Sequence, residues 1–163
     1  MKHVILAAVA AFSLPVAALA QDVSIKISDE FARSSNPKSG AAFMTIQNDG
    51  QQDCTLIAAS SPAAPKVELH TTRENADGMM EMLPIEGGIT IAAGGSHALA
   101  RGGDHIMLMN IPTPLQQGDE VPMALDFGEC GVVELVVPLD NERTGTVAGE
   151  MKMDHGAMDH SAH

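Results

Sequence analysis

The 163-residue chain has no tryptophan and no tyrosine, and only four phenylalanines. It therefore lacks the aromatic platforms on which sugars and bases stack, which argues against carbohydrate or nucleotide recognition. Basic residues are scarce as well. Nine Lys and Arg stand against 21 Asp and Glu, for a formal net charge of −12. Such a chain is a poor partner for nucleic acid or an anionic membrane surface. Cysteine is limited to Cys54 and Cys130, and neither has a His or a second Cys at metal-ligand spacing. No Ser-His-Asp order and no multi-histidine catalytic cluster is visible, so nothing in the sequence marks an enzyme. Long apolar runs are absent too, apart from Val4 to Leu14, which is too short to span a bilayer.

That short run has a different meaning. Lys2 precedes it and Ala18-Leu19-Ala20 follows, the layout of a secretory leader with an A-x-A cleavage site. The expectation is a leader over residues 1–20, cleavage after Ala20, and export of a soluble protein to a periplasm. Cleavage removes Lys2 and makes the chain slightly more acidic. In an oxidising compartment an isolated cysteine pair reads as a disulfide. Cys54 and Cys130 both lie beside predicted strands, so a bond between them would staple two strands of a sandwich.

What the chain does contain is a series of short apolar segments divided by Gly, Pro and Asn. They include Val23–Ile27, Ala41–Gln47, Cys54–Ala58, Val67–His70, Met80–Met82, Ile89–Ile91, His97–Ala100, His105–Ile111, Val121–Phe127 and Val132–Val137. No stretch shows a capped helical period. The pattern predicts an all-β, antiparallel sandwich or barrel over residues 21–140, with a core of Val, Ile, Leu, Ala and Met. Residues 141–163 change character. They hold a short repeat, Met153-Asp154-His155-Gly156-Ala157 then Met158-Asp159-His160-Ser161-Ala162, and end at His163. With few bulky apolar side chains this segment cannot offset its ordering entropy, and it reads as a mobile metal-binding tail.

The chemistry lies in the His and Met residues. His105 and Met107 are two apart in a strand, so both point to one face. The Gly102-Gly103 turn before them lets another backbone come close. Upstream, His70 precedes the run Met79-Met80-Glu81-Met82. Imidazole and thioether together suit copper(I), a soft ion. Thioethers also cannot be locked into disulfides, so they stay competent in an oxidising compartment. By this logic His70, His105, Met107 and one residue of the Met79–Met82 run form the site, and spacing leaves Met80 and Met82 both open. Met44 and Met123 read as core filler, Met109 as backing or core, and His97 as a hydrogen-bonded surface residue.

From about Lys66 to Val137 the chain resembles the PCuAC family of periplasmic copper chaperones, whose pattern is a His, a Met and then His-x-Met. His70 matches the first His, and His105 and Met107 match the closing His-x-Met within Gly-Gly-x-His-x-Met-Leu-Met. Gly78-Met79-Met80-Glu81-Met82 resembles the family's Gly-Val-Met-Lys-Met, which implies Met82 as the ligand. Eleven residues separate His70 from Met82, one more than the family pattern. A one-residue insertion in the loop Thr71–Asp77 would account for it.

The resemblance implies a Greek-key, cupredoxin-like β-sandwich that holds Cu(I) through His70, Met82, His105 and Met107. It implies delivery to a cuproenzyme, foremost the copper-containing subunit of cytochrome c oxidase, with a Sco-type protein as a second partner. The tail would be a looser site, taking Cu(II) through His155, His160 and His163 and Cu(I) through Met151, Met153 and Met158. Sequestration or copper resistance is the alternative, because storage and delivery use the same ligands. An electron-transfer cupredoxin is disfavoured, since Cys130 is followed by Gly131-Val132-Val133-Glu134 with no nearby His.

Overall fold

The computed structural model describes residues 24–143. The leader read at 1–20 and the tail residues Met151, Met153, His155, Met158, His160 and His163 lie outside the described residues.

Eleven strands follow one another: β1 Ile25–Asn36, β2 Ser39–Asn48, β3 Cys54–Leu56, β4 Ala58–Ser60, β5 Lys66–Glu74, β6 Met80–Pro84, β7 Ile89–Ile91, β8 Ser96–Leu99, β9 His105–Met109, β10 Glu120–Asp126 and β11 Val132–Pro138. A 3-10 turn, Gly128–Cys130, leads into β11. The largest sheet has the order β1-β2-β9-β5-β6, with β8 paired to the far half of β2. Two smaller sheets, β11-β10-β4 and β3-β7, complete the fold. Every pairing between these strands is antiparallel. This is the all-β, cupredoxin-like sandwich that the sequence implied. Among the described residues no helix is long and apolar enough to cross a membrane.

The core sits between the large sheet and the two smaller ones. Ala42, Met44, Ile46, Leu69, Ile106 and Leu108 supply the large sheet's inner face, against Leu56, Ile91, Val121, Met123, Leu125 and Phe127. Strand periodicity makes this possible, because alternate residues of β2, β5 and β9 are apolar and face inward. Met44 and Met123 are buried in it, as expected of filler. A disulfide joins Cys54 at the start of β3 to Cys130, also as expected.

Three segments differ from the sequence reading. The apolar run Cys54–Ala58 is not one strand. The chain changes sheets at Ile57, whose N–H donates to the Asp126 carbonyl at 2.9 Å while its side chain lies exposed. Residues Thr71–Glu74, expected in a loop, continue β5, and the turn lies at Asn75–Met79 instead. The first strand reaches Asn36 and carries a bulge between Ser28 and Phe31. The extra residue reverses which side chains face inward. Ile25 and Ile27 pack into the core, whereas Phe31 lands on the outer face, beside Phe43.

Candidate metal centre

The outer face of the large sheet carries the sequence's candidate ligands. On β9, His105 and Met107 point outward while Ile106 and Leu108 point into the core. Next to it, β5 places His70 directly opposite His105, and Glu68 opposite Met107. On the far side, β6 places Met82 opposite Thr72 and Met80 opposite Glu74. Cross-strand partners share a face, so one surface holds His70, His105, Met107 and Met82. Met80 lies on that face too, one pair further from the histidines.

The two imidazoles meet edge to face, with ring centroids 5.9 Å apart. They extend an aromatic row: Phe43 lies 6.2 Å from His105, and Phe31 lies 5.2 Å from Phe43. The Arg143 guanidinium covers the Phe31 ring at 4.4 Å. Phe31, Ala41 and Phe43 form a small apolar cluster of their own, with Met107 packed against it. No sequence signal marks this support, since the bulge in β1 is what puts Phe31 there.

Met82, His105 and Met107 line one cavity of about 400 Å³, together with Arg33, Ser34, Ala41, Phe43, Thr72 and Arg101. Neither Met80 nor His70 is part of that lining; His70 stands beside it, its ring against that of His105. A larger groove of about 690 Å³ lies over β10, β11 and the end of β4 but contains none of the candidate ligands. The depth of the donors is uneven. His105 is only 4% exposed, whereas Met82 is 59% exposed. A wholly exposed site, which easy ligand exchange would favour, is therefore not what the fold provides. It has a buried imidazole floor and an open thioether lip.

Hydrogen bonds orient the rings. His105 Nδ1 lies 3.0 Å from the Gly103 carbonyl. A carbonyl only accepts, so Nδ1 carries the proton and Nε2 keeps its lone pair. The same carbonyl accepts the Thr72 N–H at 3.1 Å, which ties the turn to β5. Gly102 holds φ +82° with open space where a Cβ would lie. This glycine thus serves the left-handed turn, not the close backbone approach that the sequence implied. His97 is hydrogen-bonded as expected, with Nε2 3.0 Å from Asp104 Oδ2 across that turn. His70 Nε2 lies 3.0 Å from Glu68 Oε2, and its Nδ1 is buried without a partner. The hydrogen bond from His70, seconded by Lys66, holds the Glu68 carboxyl below its ordinary range.

Among the described residues no three His, Cys, Asp or Glu side chains gather as a metal site. Carboxylate-rich sites for hard cations and closed His/Cys zinc sites are accordingly absent from residues 24–143. A metal held on this face would need the thioethers. Two imidazoles and two thioethers within one register of three strands suit a soft ion, and among the described residues the buried Nδ1 of His70 has no hydrogen-bond partner.

Known proteins share this architecture. Residues 25–139 match a family model described as "Putative lipoprotein LpqE-like". "Putative lipoprotein Lxx21020" of Leifsonia xyli subsp. xyli (strain CTCB07) is 31% identical over 117 residues, which is 71% of this chain and 69% of that one. Among solved structures, the copper-bound PCuAC domain from PmoF2 superposes with a TM-score of 0.58 at 21% identity, over 72% of this chain and 92% of that one. CuI-DR1885 from Deinococcus radiodurans aligns with a TM-score of 0.55 at 28% identity, over 78% of this chain and 87% of that one.

Proposed function

Because the chain belongs to the LpqE-like family and has the fold of PCuAC domains, we propose that it is an exported copper metallochaperone of the periplasm. It binds Cu(I) through His70, Met82, His105 and Met107 and passes it on without catalysing a reaction. The observation that carries this reading is the cross-strand pair His70 and His105, on the face that also bears Met82 and Met107. Two of the structural relatives are a copper-bound domain and a CuI form, which supports copper as the cargo.

The uneven depth of the donors supports handover by ligand exchange. An acceptor's donor atom would reach the ion first where Met82 stands exposed, displace that thioether, and draw the ion off the half-buried His70 and the buried His105 afterwards. The Met/His tail would act as a second, looser copper site through His155, His160, His163, Met151, Met153 and Met158. The acceptor proposed is the copper-containing subunit of cytochrome c oxidase, reached directly or through a Sco-type protein. Storage without delivery is the second reading, favoured by the burial of His105, which slows release. An anaerobic transfer assay separates them. The Cu(I)-loaded protein is mixed with the apo copper domain of the oxidase, and the metal is followed on both after separation. Delivery predicts complete transfer within minutes, and retention of the copper would favour storage.

A further inference from the structure

The two histidines of the centre differ in the nitrogen each leaves free. His105 donates from Nδ1 to the Gly103 carbonyl, which leaves Nε2 for a metal. His70 has the opposite arrangement: its Nε2 faces Glu68 Oε2 at 3.0 Å. The other Glu68 oxygen lies 3.0 Å from the Lys66 ammonium. Flanked by two donors, Glu68 stays a carboxylate, and a carboxylate only accepts. His70 must then donate from Nε2. Its Nδ1 is buried with no hydrogen-bond partner among the described residues. A proton there would strand an N–H away from water, so Nδ1 is a bare lone pair.

We propose that Glu68 is a positioning residue that locks His70 in the Nε2–H tautomer, so that His70 meets the copper through Nδ1 while His105 meets it through Nε2. The assignment rests on the copper reading above. Strand geometry makes the device possible. Glu68 and His70 are two residues apart on β5 and share the outer face, while Leu69 between them is buried in the core. The carboxylate sits at Nε2, across the ring from Nδ1, where it would raise the basicity of the imidazole and balance the added positive charge. Glu68 is not a ligand in this arrangement, because its two oxygens are committed to His70 and Lys66.

The test uses the full mature chain with ¹⁵N-labelled histidine. Long-range ¹H–¹⁵N spectra of the apoprotein should show His70 protonated at Nε2 and bare at Nδ1, with His105 the reverse. Glu68→Gln and Glu68→Ala should both relax His70 into a mixture of tautomers. They should also weaken the tightest Cu(I) site by about 10–100-fold in anaerobic titrations against bicinchoninate, the usual cost of losing such an outer partner. The Glu68 side chain is partly exposed, so both variants keep the fold, which the apo backbone spectrum checks. A wild-type His70 protonated at Nδ1 would overturn the proposal, as would Glu68 variants that keep both the tautomer and the affinity. His70→Ala separates the two levels of failure. If it binds Cu(I) as tightly as the wild-type chain, the copper reading itself falls. If it loses affinity while both Glu68 variants retain theirs, only the role of Glu68 is overturned.

Discussion

The inner and outer faces of the large sheet use the same residue type for opposite ends. Met44 is fully buried on the inner face, in the same core cluster as Ile46, Ile106 and Leu108. Met82, on the outer face, is mostly exposed. A flexible thioether fills irregular core space well, and in the open it offers a lone pair to a soft ion. Met107 stands between these extremes, half-buried against Phe31, Phe43 and Ala41. Strand alternation keeps the two uses apart, since His105 and Met107 interleave with Ile106 and Leu108 along β9. A slip of one residue in β9 would exchange the sets and lose both core and site. The inner face should therefore set stability and the outer face copper affinity, and substitutions on one should leave the other's property alone.

The largest expected effect lies in the core that the inner face packs against, away from the outer face. The Cys54–Cys130 bond spans a sequence separation of 76. Losing a cross-link over so long a loop should cost about 4.5 kcal/mol on the chain-entropy account. Urea unfolding of the Cys54→Ala/Cys130→Ala double variant measures it, and Cu(I) affinity should be unchanged. Met44→Ala comes next. Emptying a fully buried site should cost roughly 2–5 kcal/mol and again spare the copper site. On the outer face the ranking reverses. Met107→Leu keeps volume and removes sulfur, so stability should move by less than about 1.5 kcal/mol, while Cu(I) binding in a chain truncated after Glu150 drops sharply. A Met107→Leu variant that lost stability and kept copper would break the comparison.

The smallest effect concerns acid. Glu68 and Asp49 both have folded-state pKa values below their ordinary ones, Glu68 chiefly through the His70 hydrogen bond and Asp49 chiefly through Lys26. A carboxyl depressed in this way adds stability above its ordinary pKa, and that contribution is lost as pH falls through the folded value. Both groups are open to solvent, so the contribution is slight. Glu68→Gln should flatten the acid limb of the stability profile a little and lower its neutral plateau by the same slight amount, as read from urea midpoints across that range.

The local half of this division is legible in the sequence. Period two along His105–Met109 by itself puts His105 and Met107 on one face, and Ile106 and Leu108 on the other. The strands Met80–Pro84 and Ile89–Ile91, and the core placement of Met44 and Met123, are legible in the same way. Non-local pairing is not. The position of β9 between β2 and β5 sets His70 opposite His105, and no periodicity within one strand reports a neighbour. The choice between Met80 and Met82 is of the same kind, since the β5–β6 register decides which of them reaches the cavity. Polar Thr71–Glu74 resembles a loop because that end of β5 has no apolar face to alternate with. The Phe31 position is hidden by the β1 bulge, which breaks period two at a point marked only by Asp29 at φ +55°.

The central proposal is one Cu(I) held by His70, Met82, His105 and Met107. The most direct measurement labels methionine methyl groups with ¹³C and follows the full mature chain as one equivalent of Cu(I) is added without oxygen. The Met82 and Met107 methyl signals should shift together with the His70 and His105 rings, while Met44, Met123 and Met80 stay in place. If the first equivalent moved only Met151, Met153 and Met158, or moved Met80 in place of Met82, that four-ligand site would be wrong.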